Sequence, residues 1–142
     1  MQLVYCEHFP ISKLREASPR PDEWWEKHPD FQKMQVNLIE SIKQDGLKYP
    51  LCAINLKDDG IYDVTVGMQR LKALQTMGEE TVRAVIAYKE NQKHQPGGVV
   101  IKTATQLDEI FGCKLQGITL QPNSFEVALP NREEWRPYNG LE

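Results

Sequence analysis

The order of periodic segments within residues 31–88 constrains the fold more than any other feature. Apolar residues at helical spacing come first. Two strand-like runs, Leu51–Leu56 and Ile61–Val66, then flank an Asp-Asp-Gly turn. A short amphipathic segment follows Gly67, and the β-branched run Thr81–Tyr88 comes after it. This alternation is typical of a small domain that contains both α-helices and β-strands.

The segment before this region carries weaker signals. Gln2–Phe9 is predicted to form the first strand. Ala17–Pro29 contains three prolines and two adjacent tryptophans, and we expect it to be irregular because prolines interrupt regular elements. A helix is predicted to begin after Asp30, a good N-cap, and to end at Gly46.

The whole chain, 1–142, is expected to form one domain, with a core at about residues 2–88 and a β-rich C-terminal extension at 99–142. A polar loop, Lys89–Gly98, joins the two. Within the extension we expect one short helix, a closing hairpin and a polar tail. The helix cap is assigned to Thr105 and Asp108, the strands to Lys114–Leu120 and Phe125–Leu129, and the tail to Pro130–Glu142 with Trp135 as an anchor.

Composition and charge indicate which partners, locations and metal sites are not favoured. A net charge of -3 and a pI near 5.7 do not favour a nucleic-acid partner. The apolar runs are shorter than the roughly 20 residues of a membrane span, and the N-terminus does not resemble a signal peptide, so we expect a cytoplasmic protein. The 3 cysteines and 3 histidines are scattered, which predicts neither disulfides nor a metal site.

The junction at Gly67 is the most informative candidate site. A glycine between a strand and a helix permits a sharp turn and close approach of a ligand. Amides in the first helical turn then face an anion, and Arg70 can add a charge-assisted contact to phosphate. The alternative is an ordinary turn beside a solvated arginine.

A second candidate lies between the long helix and the next strand. Gly46 and Pro50 are explained by a helix stop and by entry into an extended strand. Lys48 and Tyr49 are not explained in this way. One interpretation is that they contact a phosphate or stack on a base. The alternative is that they are ordinary surface residues.

Several residues occur in the order of a known pattern: Leu38 to Lys43, Gly46-Leu47, Pro50-Leu51, Tyr62 to Gly67, Arg70-Leu71, Ala73, Gly78 and Val82. Over about fifty residues this order resembles the N-terminal domain of ParB partition proteins. It therefore resembles the ParB/sulfiredoxin-like fold, which free-serine kinases share. The resemblance implies a small α/β (α+β) domain with a mixed sheet flanked by a few helices.

The resemblance implies that the chain binds a nucleoside triphosphate, usually with Mg²⁺. In these families a Gly-x-x-Pro turn and a Gly-x-x-Arg helix start line the phosphates. An acidic residue after the first strand serves the substrate in free-serine kinases, and Glu16 is its nearest match, followed by Asp22 and Glu23. The alternative is that these three acidic residues are ordinary surface charges. The implied nucleotide-binding positions are Gly46, Lys48, Pro50, Gly67, Met68, Gln69 and Arg70.

At two points the sequence differs from the family motifs, and each difference argues against one of the known family activities. ParB proteins carry Glu-Arg-Arg after the glycine where this chain has Met68-Gln69-Arg70, which argues against a ParB-type CTP switch. Sulfiredoxin has its catalytic cysteine where this chain has Met68, so sulfinic-acid repair is not expected. The 54 or so residues after Tyr88 do not suggest a helix-turn-helix domain.

The leading hypothesis is a nucleotide-binding protein that acts as an ATP- or CTP-dependent phosphotransferase or hydrolase. Compact members of this kind resemble proteins of phages and mobile elements. The alternative is a non-catalytic interaction module that binds a protein or nucleic acid through the Trp24/Trp25 loop or the C-terminal extension. DNA cleavage is disfavoured because the sequence offers no convincing cluster of carboxylates for two metal ions.

Overall fold

A computed structural model describes residues 1–130, and the tail with Trp135 lies outside the described residues. The order of elements follows the predicted alternation of strands and helices. None of the helices in residues 1–130 has the length and apolarity needed to cross a membrane. The strands are β1 (Gln2–Pro10), β2 (Leu14–Glu16), β3 (Leu51–Ile54), β4 (Tyr62–Val66), β5 (Thr81–Tyr88), β6 (Val99–Ile101), β7 (Gly117–Gln121) and β8 (Ser124–Ala128), and the helices are α1 (Asp22–Lys27), α2 (Pro29–Asp45), α3 (Met68–Met77) and α4 (Ala104–Phe111).

The central sheet has six strands in the order β2-β4-β3-β5-β1-β6. Strand β3 runs parallel to β5 and antiparallel to β4, while β2 runs parallel to β4. Strands β1 and β5 pair antiparallel over most of their length. The predicted fold class, a mixed sheet with flanking helices, is therefore confirmed.

Both faces of the sheet are covered because alternate residues of β3 point in opposite directions. Leu51 and Ala53 pack with α2 and α3, whereas Cys52 and Ile54 pack with α4 and the β7–β8 hairpin. All four of these residues are fully buried, as expected for a central strand covered on both faces. The described part of the C-terminal extension thus supplies the second layer over the sheet.

Several predicted boundaries were wrong. The stretch expected to be irregular contains α1, and α2 begins at Pro29 rather than after Asp30. Proline suits the first helical position because its fixed φ matches the helix and its missing N–H would have no intrahelical partner there.

The C-terminal helix cap was also misassigned. The Thr103 hydroxyl accepts from the Gln106 amide, and the Gln106 side chain accepts from the Thr103 amide, so the capping box lies two residues before the predicted Thr105. The strands of the last hairpin are Gly117–Gln121 and Ser124–Ala128, rather than the predicted Lys114–Leu120 and Phe125–Leu129.

Candidate functional site

The turn between β4 and α3 can accommodate only glycine without strain. Gly67 has φ +96°, in the left-handed region, and is the N-cap of α3. A Cβ added to it would lie 2.5 Å from Cδ2 of Leu51, a fully buried side chain. The first turn of α3 is therefore brought directly to the end of β4.

The amides at the start of α3 precede its internal ladder of hydrogen bonds. The Leu71 amide donates to the Gly67 carbonyl at 2.8 Å, so the amides of Met68, Gln69 and Arg70 come before the first intrahelical bond. The macrodipole of the ten-residue helix places partial positive charge at this end. The first turn contains no acidic residue to neutralise that charge.

A cleft of about 680 Å³ lies at this helix start and has three walls. Residues 65–70 form the first wall, which includes Gly67, Met68, Gln69 and Arg70. Residues 126–128 of β8 form the second. The third extends from the last residue of β2 through α1 to the start of α2 and includes Glu16, Arg20, Trp25 and Phe31. The structure thus brings the predicted Glu16 into the same cleft as four of the predicted nucleotide-binding residues.

A pair of hydrogen bonds fixes Gln69 in the cleft wall. Nε2 of Gln35, on α2, lies 2.8 Å from the Gln69 carbonyl and 2.9 Å from the Gln69 Oε1 atom. These bonds tie α2 to the first turn of α3. The side-chain amide of Gln69 is thereby oriented before any ligand arrives.

Arg70 and Lys48 approach the same aromatic ring. The Arg70 guanidinium carbon lies 5.9 Å from the centre of the Tyr49 ring, and the Lys48 ammonium lies 5.2 Å from it. Both distances are within the range of cation–π attraction. Lys48 is nevertheless absent from the walls of the main cleft, which Arg70 lines.

The remaining predicted positions lie elsewhere. Gly46 lines a separate cleft of about 520 Å³ together with Leu47 and Arg83. An Arg83 Nη2 atom donates to the Leu47 carbonyl at 2.5 Å in that region. Pro50 is buried just before β3. Neither Gly46 nor Pro50 lines the cleft at α3.

The wall that carries Glu16 is anchored by an ion pair. On β2, Arg15 faces its β4 partner Asp63, with Nε–Oδ1 and Nη2–Oδ2 distances of 2.7 and 3.1 Å, and also contacts Asp59 at 2.9 Å. Hydrogen bonds to these carboxylates raise the pKa of Arg15. Because neighbouring strand residues face opposite ways, Glu16 points away from this pair, and it lines the cleft. Asp22, the next candidate, is exposed on α1 and does not line the cleft.

The tryptophan pair packs α1 against its neighbours. Trp24 stacks on His28 at 4.0 Å and contacts Phe31 edge-on at 5.0 Å. The Trp25 ring lies 3.4 Å from the Lys72 ammonium, which connects α1 to α3. Both indoles are half-buried, and Trp25 lines the cleft.

The cleft has a cysteine nearby, but that thiol is not a nucleophile. Cys52 lies on β3 and is completely buried. Burial raises the pKa of Cys52, and the positive charge of Arg70 opposes this shift only in part. The thiol therefore stays protonated.

Sequence reasoning missed Arg20, Phe31 and the β8 residues of the cleft. Arg20 lies among prolines with no local motif around it, and β8 reaches the cleft only through packing of the hairpin on the sheet. The helical spacing of Phe31 predicted a buried face but not a cleft wall.

A comparison with models of known protein families identifies the family of this chain. The sequence model of the ParB N-terminal domain matches residues 4–96. The chain belongs to the ParB N-terminal domain family. The match covers β1 to β5, including Glu16 and the Gly67 turn, and ends before the β8 wall. Comparison with curated proteins gave no match.

Solved structures with similar folds include three kinds of protein. Sulfiredoxin from Arabidopsis thaliana is 28% identical with a TM-score of 0.43, and the match covers 61% of this chain and 85% of that chain. A mutant free serine kinase in complex with AMP is 20% identical with a TM-score of 0.46, covering 61% and 32%. C-terminally truncated ParB from Caulobacter crescentus, complexed with CTP-gamma-S, is 21% identical with a TM-score of 0.46, covering 60% and 45%. The chain thus spans about a third of the kinase and under half of that ParB.

Proposed function

We propose that this member of the ParB N-terminal domain family binds a nucleoside triphosphate in the cleft at the start of α3. One observation carries the proposal: the cleft unites the first turn of α3, Arg70 and the carboxylate of Glu16. A volume of about 680 Å³ lies within the range of sites that hold small molecules and cofactors. The family membership supports the same site.

The chemistry of the wall at α3 suits phosphate. Amides of Met68, Gln69 and Arg70 and the positive end of the helix dipole favour an anion there. The guanidinium of Arg70 can donate two parallel hydrogen bonds to one phosphate group. Gly67 lets the ligand approach the backbone closely because it has no side chain.

Magnesium fits this site as a partner of the nucleotide. Mg²⁺ is usually held by phosphate oxygens, water and one or two carboxylates rather than by a complete protein cage. Residues 1–130 contain no group of three metal-binding side chains, so this part of the chain offers no such cage. Glu16 is the carboxylate we assign as a protein ligand or base, and bound Mg²⁺ would supply charge neutralisation at the phosphates.

We further propose that the bound ATP or CTP is used in phosphoryl transfer or hydrolysis. Glu16 takes the proton of the attacking hydroxyl group or water as its oxygen bonds to the terminal phosphorus. The bond from that phosphorus to the bridging oxygen breaks, and the nucleoside diphosphate leaves.

A thermal-shift experiment tests the binding site. ATP, CTP, GTP and ADP, each with Mg²⁺, are added to the wild-type protein and to Arg70→Ala. A ligand at about 100 times its Kd stabilises the folded state by roughly 2.7 kcal/mol. We expect a clear rise in Tm for the wild type and none for Arg70→Ala, whose circular dichroism spectrum stays native. Lys33→Ala, a charge removed from the exposed part of α2, should respond like the wild type.

No shift with any of the four nucleotides would refute this proposal. That result would leave the non-catalytic interaction module as the alternative. In that alternative the Trp24/Trp25 loop or the C-terminal extension binds a protein or nucleic acid.

A further inference from the structure

An arginine outside the predicted site lies in the wall opposite α3. Arg20, in the segment between β2 and α1, lines the cleft together with Glu16 and Trp25. Its guanidinium carbon lies 4.0 Å from the centre of the Trp24 ring and 5.3 Å from that of Phe31. The side chain is therefore held against two aromatic rings.

The N–H groups of Arg20 are not used by the described protein. Among residues 1–130, Arg20 makes no side-chain hydrogen bond within 3.5 Å and no ion pair within 4.0 Å. Arg15 provides the contrast, since its guanidinium donates three hydrogen bonds to Asp59 and Asp63. Although Glu16 and Glu126 line the same cleft, neither is paired with Arg20.

Stacking of this kind prepares an arginine for binding an oxyanion. The planar guanidinium stacks through its face and keeps its donors at the edge, where they match two oxygens of a phosphate. Contact with Trp24 and Phe31 also restricts a side chain that otherwise loses about 2 kcal/mol of rotamer entropy when it is ordered. Less of that entropy remains to be lost on binding.

We propose that Arg20 binds the terminal phosphate of the nucleoside triphosphate, across the cleft from Arg70. This inference rests on the proposed function. The α3 wall holds the phosphate chain, and Glu16, as base or metal ligand, must lie near the terminal phosphorus. Arg20 follows Glu16 by four residues and lines the same wall. The terminal phosphate is thus the part of the ligand that lies within reach of Arg20.

Isothermal titration separates this role from general attraction between charges. The probes are the mono-, di- and triphosphates of adenosine and cytidine with Mg²⁺, titrated into the wild type, Arg20→Ala, Arg20→Lys and Lys33→Ala. Because hydrogen bonds between charged groups are lost, Arg20→Ala should weaken triphosphate binding about 10- to 100-fold. Its monophosphate affinity should stay within about twofold of the wild type. Arg20→Lys should recover only part of the loss because it keeps the charge but not the planar fork.

The outcomes distinguish this inference from the proposed function. If the wild type binds triphosphate and Arg20→Ala binds it equally well, the role of Arg20 is overturned and the nucleotide site stands. An equal loss for mono- and triphosphates, or a similar loss in Lys33→Ala, also overturns it. If the wild type binds none of these nucleotides, both proposals fail. Circular dichroism melting of each variant checks that the fold is retained, and Arg20→Lys serves if Arg20→Ala does not fold.

Discussion

Substitution of Gly67 by alanine tests the geometry on which the site depends. The residue has φ +96°, where an L side chain costs about 1–2 kcal/mol. The new Cβ would also lie 2.5 Å from Leu51 Cδ2, and forcing a methyl group into a packed core costs about 1–3 kcal/mol. Together Gly67→Ala should lower the free energy of unfolding by about 2–5 kcal/mol, a large part of the 5–15 kcal/mol typical of a domain.

Gly78, at the other end of α3, provides a matched control. It also has a positive φ, +77°, but a Cβ added there would meet no atom within 4 Å. Gly78→Ala should therefore cost only the backbone component, about 1–2 kcal/mol. A Leu51→Ala background should reduce the cost of Gly67→Ala to a similar value because the clashing methyl group is gone.

Urea unfolding followed by circular dichroism measures the wild type, the three single variants and the Gly67→Ala/Leu51→Ala double variant, provided that the m-values agree. The cycle between Gly67→Ala and Leu51→Ala isolates the contact as a coupling energy. The reasoning is refuted if Gly67→Ala costs no more than Gly78→Ala, or if its cost is the same with and without the Leu51 side chain.

Two further predictions concern the proposed base and a buried phenol. Glu16→Gln should retain nucleotide binding but slow phosphate release by about 10²- to 10⁴-fold, whereas Asp22→Asn should release phosphate at the wild-type rate; equal rates in both variants would exclude Glu16 as the base. Burial raises the pKa of Tyr62 to about 12. The unfolded chain therefore ionises first, near pH 10, and stability falls as the pH rises from 10 to 12. By pH 11 the loss of unfolding free energy is roughly 1 kcal/mol. Urea unfolding at pH 8 and pH 11 should show this loss in the wild type but not in Tyr62→Phe. The same loss in both proteins would contradict the assignment to Tyr62.

The sequence by itself determined the elements that depend on local geometry. Strand β5 has the predicted limits, Thr81–Tyr88, because a run of β-branched and apolar residues favours an extended backbone wherever it lies. The hairpin of β3 and β4 and the helix after Gly67 followed from turn chemistry and periodicity in the same way. These local signals also predicted an anion site at the start of α3.

Short elements were decided only by the tertiary structure. Strand β2 has three residues, and it is a strand because Leu14–Glu16 pair with β4, far along the chain. Strand β6 likewise exists through its pairing with β1. Three residues carry too little periodicity to be predicted, since most of their stabilisation comes from the partner strand and from the packing around it.

The residues of the cleft were likewise predicted in part from the sequence and decided in part by the tertiary structure. Glu16 was named through the resemblance, but its place opposite α3 depends on the Arg15–Asp63 pair between strands distant in sequence. The β8 wall reaches the cleft because the C-terminal hairpin packs on the far face of the sheet. Gly46 was predicted with the site, yet the end of α2 carries it to another cleft. A sequence pattern records the order of residues along the chain, whereas a cleft is formed by segments whose proximity is created by burying both faces of the sheet.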